Sequence, residues 1–248
     1  MKDTTSHGEN PRAAHFATTH WSVVLAAGRT GQAAAAAALE RLCQEYWFPV
    51  YSFIRRKGHD AHQAEDLTQG FFTRLLEKNW LESADPGRGR FRTFLLTAVT
   101  RFLANEHDRD QALKRGGGQR ILSFDAQDAE GRYLLEPASN ATPETVFEEQ
   151  WAYQILAGVL QKLRAEFDGG GREGRFEALK GFLLGDGEVQ SYAETAARLS
   201  ISESAVKSGI HRLRQRYGAL LREEIAQTVE TDAEVEAEIS HLLNILSK

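Results

Sequence analysis

The chain of 248 residues contains one cysteine, one methionine and five prolines. A single thiol, Cys43, excludes an internal disulfide and the paired thiolates of a structural zinc site. It stands between Leu42 and Tyr46 in an apolar helical pattern, so it reads as a small core residue and not a nucleophile. No apolar run approaches the ~20 residues that span a bilayer, and the polar stretch from Met1 to Pro11 lacks the apolar core of a secretory signal. A cytoplasmic chain without membrane insertion is expected. Net positive charge is missing too: 30 Lys and Arg stand against 35 Asp and Glu, a formal charge of −5. That excludes a protein that coats nucleic acid indiscriminately, because bulk affinity for phosphate comes from positive surface. His59 and His62 lie beside Glu65 and Asp66, but no third and fourth metal ligands follow nearby, and no glycine-rich phosphate loop or nucleophile motif accompanies them. Neither catalysis nor a cofactor is expected.

The chain does have apolar content of 42%, enough for real cores, arranged at helical spacing throughout. No segment reads as a sheet, so the expected fold is all-α in two helical domains joined by a flexible linker. Residues 1–17 read as disordered and 18–116 as a first domain. The latter starts with a short helix over Trp21–Ala27, followed by a long amphipathic helix kinked or divided at Pro49. Gly58 ends that helix and Asp60 caps the next, which carries Ala64, Leu67, Phe71, Phe72 and Leu75. A loop from Leu81 to Arg90 leads to a helix from Phe91 to Leu113, closed by Gly116 to Gly118. Residues 117–147 lack a sustained period and read as the linker, with one ordered piece near Ile121–Phe124. The second domain, 148–225, is led in by Thr142, Pro143 and Glu144, a helix start. Residues 226–248 form an acidic and amphipathic C-terminal extension.

Ser191 to Arg216 is the most informative stretch. It reads as a helix, a tight turn and a second, basic helix, the pattern of a helix-turn-helix reader of DNA. Ala193, Ala196, Ala197 and Leu199 supply a small apolar stripe on the first helix; Ile201, Val206, Ile210 and Leu213 supply one on the second. Ser202 is the expected N-cap, with Glu203 at the positive end of the helix dipole. Lys207, His211, Arg212, Arg214 and Arg216 crowd the remaining side. Further basic clusters occur at Arg55 to Lys57 and at Lys114 and Arg115.

Gln63-Ala-Glu-Asp-Leu-Thr-Gln-Gly-Phe-Phe-Thr-Arg-Leu75, then Phe91-Arg-Thr-Phe-Leu95, then the helix-turn-helix, together resemble the extracytoplasmic-function (ECF) group of the sigma-70 family. These are promoter-specificity subunits of bacterial RNA polymerase. The resemblance implies that the partners are core RNA polymerase and promoter DNA; a serine/threonine kinase or an anti-sigma regulator is a further candidate partner. It implies that Glu65 and Asp66, with Leu67 and Phe71, grip polymerase. It implies that Arg90, Arg92, Arg101 and Arg109 serve melting and reading of the −10 region. Glu203, Ser204, Lys207, Ser208 and His211 would approach the bases of the −35 element, with Arg212, Arg214 and Arg216 on phosphates. The other reading of the chain is a stand-alone helix-turn-helix regulator of duplex DNA.

Several positions depart from the family pattern. Gln63 and Gly70 stand where acids are usual, and phosphorylation of Thr68 would add about −1.5 to −2 charge to that helix. Gly209 replaces an arginine, which implies one lost phosphate contact; Arg101 replaces an asparagine. The extension beyond Glu223 offers Ile239, Leu242, Leu243, Ile245 and Leu246 after its acids. Three fates are open to it: folding back on the basic recognition helix, binding a regulator, or remaining a solvated tail.

Overall fold

The computed structural model describes residues 32–77, 90–112, 126–134, 141–168, 173–184, 191–229 and 231–247. Among them the backbone forms ten helices and no strand. They are α1 (Gln32–Arg56), α2 (Ala61–Glu77), α3 (Phe91–Ala112), α4 (Ala126–Leu134), α5 (Pro143–Asp168), α6 (Glu173–Leu179), α7 (Gly181–Leu184), α8 (Tyr192–Leu199), α9 (Glu203–Ala226) and α10 (Asp232–Leu246). The all-α expectation holds for these residues. The segments 1–17, Trp21–Ala27, Leu81 to Gly89, Lys114 to Gly118 and Ile121–Phe124 lie outside them. Two compact units result: Met1–Ala152 with Ala226–Lys248, and Tyr153–Ile225.

The first unit is built on aromatic side chains. α1 is continuous through Pro49 and is not divided there. A mid-helix proline costs about 3 kcal/mol by removing a backbone bond and crowding the preceding turn. Tyr46, Trp47, Phe48, Val50, Tyr51, Phe53 and Ile54 are all buried around it. At roughly 1.5–3 kcal/mol for each large apolar side chain, their burial outweighs that cost several times over. Gly58 then ends the helix with φ of +99°, a conformation glycine adopts without a Cβ clash.

Asp60 and Gln63 form a reciprocal cap on α2. The Gln63 N–H donates to Asp60 Oδ1 at 2.8 Å, and the Asp60 N–H donates to Gln63 Oε1 at 3.3 Å. α2 buries Ala64, Thr68, Phe71, Phe72 and Leu75, and α3 buries Phe91, Leu95, Ala98, Val99 and Phe102, each set at helical spacing on one face. Phe71 meets Phe102 edge-on with ring centroids 5.8 Å apart, and Phe91 meets Tyr46 at 5.5 Å.

The region read as a linker contains α4, fixed to α1 by side chains. Arg55 donates from Nε and Nη2 to Glu130 at 2.9 and 2.7 Å, and the Tyr51 hydroxyl donates to the same carboxylate at 2.5 Å. Arg132 lies 3.9 Å above the Phe48 ring. The neighbouring cations are engaged as well. Arg56 donates to the Ala141 carbonyl at 2.9 Å, and Lys57 pairs with Glu144 at 3.4 Å. The Arg55 to Lys57 cluster is therefore spent largely on holding the chain's own acids and carbonyls. The Arg55 guanidinium keeps the Glu130 carboxyl below its ordinary 4.5. Its contribution to stability is therefore present at neutral pH and is lost as pH falls through the lowered value. Glu130→Gln should cost on the order of 1 kcal/mol in urea unfolding at pH 7, and the difference from wild type should shrink below about pH 4.

The second unit encloses Ile155, Val159 and Leu163 of α5, Phe176 and Leu179 of α6, Ala196 of α8, and Val206, Ile210 and Leu213 of α9. Thr142 caps α5 by accepting from the Thr145 N–H at 3.2 Å, one residue before Pro143, as its sequence predicts. Gly158 lies inside α5 with nothing within 4 Å of the space a Cβ would fill. Gly158→Ala should therefore raise stability by about 0.5–1 kcal/mol, read as a higher urea midpoint.

Candidate nucleic-acid and partner interfaces

The helix-turn-helix is assembled by local chemistry. Ser191 caps α8 by accepting from the Glu194 N–H at 3.1 Å, while Glu194 accepts from the Ser191 N–H at 2.9 Å. α8 stops at Ser200, left-handed at φ 54°, and the Ile201 N–H returns to the Ala196 carbonyl at 3.0 Å. Ser202 accepts from the Ala205 N–H at 3.3 Å and starts α9, as the sequence predicts. The apolar stripe of α8 is narrower than expected. Thr195 and Ala196 are buried, but Ala193 and Ala197 are exposed.

On α9, Val206, Ile210 and Leu213 face the core, and Glu203, Ser204, Lys207, Ser208, His211 and Arg212 are exposed. Spacings of four residues put 203, 207 and 211 in one row and 204, 208 and 212 in the next. These six form a continuous polar surface. Arg214 and Arg216 do not join it as free cations. Arg214 donates to the Phe182 carbonyl at 2.8 Å, and Arg216 clamps Glu166 at 2.8 and 2.6 Å and Glu223 at 3.2 Å. Gly209 has a packing role. A Cβ there would meet Leu179 Cδ1 at 3.2 Å, so this position lies against α6 and its glycine permits close packing. Tyr192 was not expected at this surface. Its ring is 42% exposed, stacks on Phe182 at 5.3 Å and carries Lys207 Nζ 5.3 Å from its centroid. An aromatic residue directly after the N-cap of α8 was the available signal.

On α2, Asp66 is exposed, Glu65 and Leu67 are half-buried, and Asp66 pairs with His62 at 3.2 Å. Phe71 departs from expectation: it is fully buried against Phe72 and Phe102, so it supports this face from within. Thr68 is fully buried too, its hydroxyl donating to the Ala64 carbonyl at 2.6 Å. Phosphorylation of Thr68 would therefore require this face of α2 to open. Gln63 completes the cap of α2, a role that answers for its presence without reference to charge.

The arginines assigned to α3 have different fates. Arg101 is exposed; the side chain of Arg109 lies outside the described residues. Arg92 is 4% exposed and donates from Nε to both Glu148 oxygens, at 3.1 and 2.9 Å, with its guanidinium 4.5 Å from the Trp151 ring centroid. Burial lowers the basicity of Arg92, an effect opposed by Glu148. Arg92 also pairs with Glu238 of α10, and Arg90 Nε stands 2.9 Å from the other oxygen of that carboxylate. His241 of α10 reaches Glu148 at 2.8 Å. Within the first unit, then, α10 of the C-terminal extension is held by Arg90, Arg92 and Glu148.

The profile of the ECF sigma factor family matches residues 19–223. The chain belongs to that family. It is similar to the ECF RNA polymerase sigma factor SigE of Mycolicibacterium smegmatis, with 26% identity over 202 residues, 82% of this chain and 68% of that protein. No solved structure matches it. As a sigma factor, the chain directs RNA polymerase to promoters, and its partners are the core enzyme and promoter DNA. The reading as a stand-alone regulator is not favoured. Sigma factors are DNA-binding regulators and not enzymes, and among the described residues no three His, Cys, Asp or Glu side chains converge on a metal position. Among those residues no helix is long and apolar enough to cross a membrane.

Proposed function

We propose that the sigma factor divides its work between three faces. Asp66, Glu65 and Leu67 on α2 dock on core polymerase, with Phe71 holding the helix beneath them. Glu203, Ser204, Lys207, Ser208, His211 and Arg212 on α9 enter the major groove at the −35 element, and Lys207 is steadied by Tyr192. α3, with Arg90 and Arg92 at its head and the exposed Arg101 midway along it, serves the −10 region, where single-stranded bases and their backbone need stacking and positive charge. The observation that carries this reading is the row of exposed polar side chains on α9 opposite buried Val206, Ile210 and Leu213. Side chains in that arrangement can be spent on DNA without loss of the core.

The polymerase contact is tested by co-migration of the full chain with bacterial core RNA polymerase on a sizing column. Glu65→Ala/Asp66→Ala should weaken association at least about tenfold at physiological salt and leave the melting temperature within about 2 °C of wild type. Undiminished association of the double variant would refute the α2 assignment.

A further inference from the structure

We infer that the head of α3 is an anion-binding site whose occupant here is the chain's own Glu238, and that nucleic-acid phosphate displaces this carboxylate together with α10. The inference deepens the −10 assignment above and rests on it. α10 carries four acids, Asp232, Glu234, Glu236 and Glu238, and neither lysine nor arginine. Glu238 is 1% exposed and faces both Arg90 and Arg92, two of the cations the −10 reading requires. A carboxylate buried between two guanidiniums presents the charge and oxygen geometry of a phosphate.

Three features make this occupant displaceable. The family match ends at residue 223, so α10 lies outside the part of the chain shared with other ECF sigma factors. The fully buried apolar hold is limited to Val235 and Leu242, on one stripe with Glu238; Ile239, Ile245 and Leu246 are half-buried and Leu243 is 58% exposed. Departure of α10 also strands no buried cation. Arg92 keeps Glu148 and the Trp151 ring, and Arg90, with 34% of its side chain exposed, is released to solvent. With α10 docked, Arg90 and Arg92 are matched in charge by Glu148 and Glu238. Without it, the head of α3 gains one uncompensated positive charge.

The test uses full-length protein and a fluorescent oligothymidine single strand. Glu238→Gln removes the competing anion and preserves shape; Leu242→Asp separates the helix through its apolar contact. Both should bind the strand at least about fivefold more tightly than wild type at low salt. The salt slope should be steeper by about 0.7, the increment for one additional phosphate contact on a single strand. In wild type, hydrogen exchange over residues 232–246 should be slow in free protein and faster when the strand is bound. Unchanged affinity in both variants, or protection of α10 that persists with the strand bound, overturns the inference. So does loss of the near-ultraviolet dichroism of both variants, because a helix that can leave does not melt its unit. Polymerase co-migration of the same wild-type preparation reports separately on the sigma-factor assignment, so the two can fail independently.

Discussion

Arg92→Ala should destabilise the first unit by roughly 3–5 kcal/mol, the cost of breaking a buried ion pair by removing one partner. The guanidinium is 4% exposed and serves Glu148 and Glu238 at once while covering Trp151. Alanine leaves two carboxylates without their shared cation and a hole beside the indole. For a unit of this size the loss corresponds to a fall in Tm of about 10 °C. The discriminating control is Arg92→Met/Glu148→Gln/Glu238→Leu, which replaces the three charges with uncharged side chains of similar bulk and should recover most of the loss. If Arg92→Ala melts within about 1 kcal/mol of wild type, the network carries no structural weight.

The second large effect concerns recognition. Lys207→Ala should weaken binding of the reconstituted holoenzyme to a −35-containing duplex by about 1–3 kcal/mol, roughly 5- to 150-fold, with no change in melting temperature. Lys207 is exposed on the row with 203 and 211, so its loss leaves the core of the second unit intact. Tyr192→Ala should reproduce part of the loss, since the ring 5.3 Å away limits where the ammonium can go. Arg216→Ala provides the contrast. Its guanidinium is committed to Glu166 and Glu223, so it should alter stability in a salt-dependent way and leave sequence preference unchanged. Equal loss of specific binding in Arg216→Ala and Lys207→Ala would show that the two faces of α9 have been wrongly separated.

The contrast between Lys207 and Arg216 also marks how far the sequence could be read. Both are cations on one basic helix, and local spacing cannot say which has an acid waiting fifty residues away. Phe71 and Thr68 pose the same problem on α2. An aromatic and a hydroxyl within an acidic motif look like contact and modification sites until tertiary packing buries them. Gly209 looked like a missing ligand because a sequence shows what a position lacks and not what lies opposite it.

The features that the sequence determined by itself are those decided within a few residues. Helical period, the caps at Asp60, Thr142, Ser191 and Ser202, the stop at Gly58 and the turn between α8 and α9 all follow from bonds between near neighbours. The order of motifs along the chain also sufficed for the family. Tertiary structure alone decided the continuity of α1 through Pro49, the docking of α4 by Glu130, and the placing of α10 on the first unit by Glu238. Each of these depends on burial or charge pairing between residues far apart in the chain. Their energies, a few kcal/mol apiece, exceed local propensity and leave no periodic trace in the sequence.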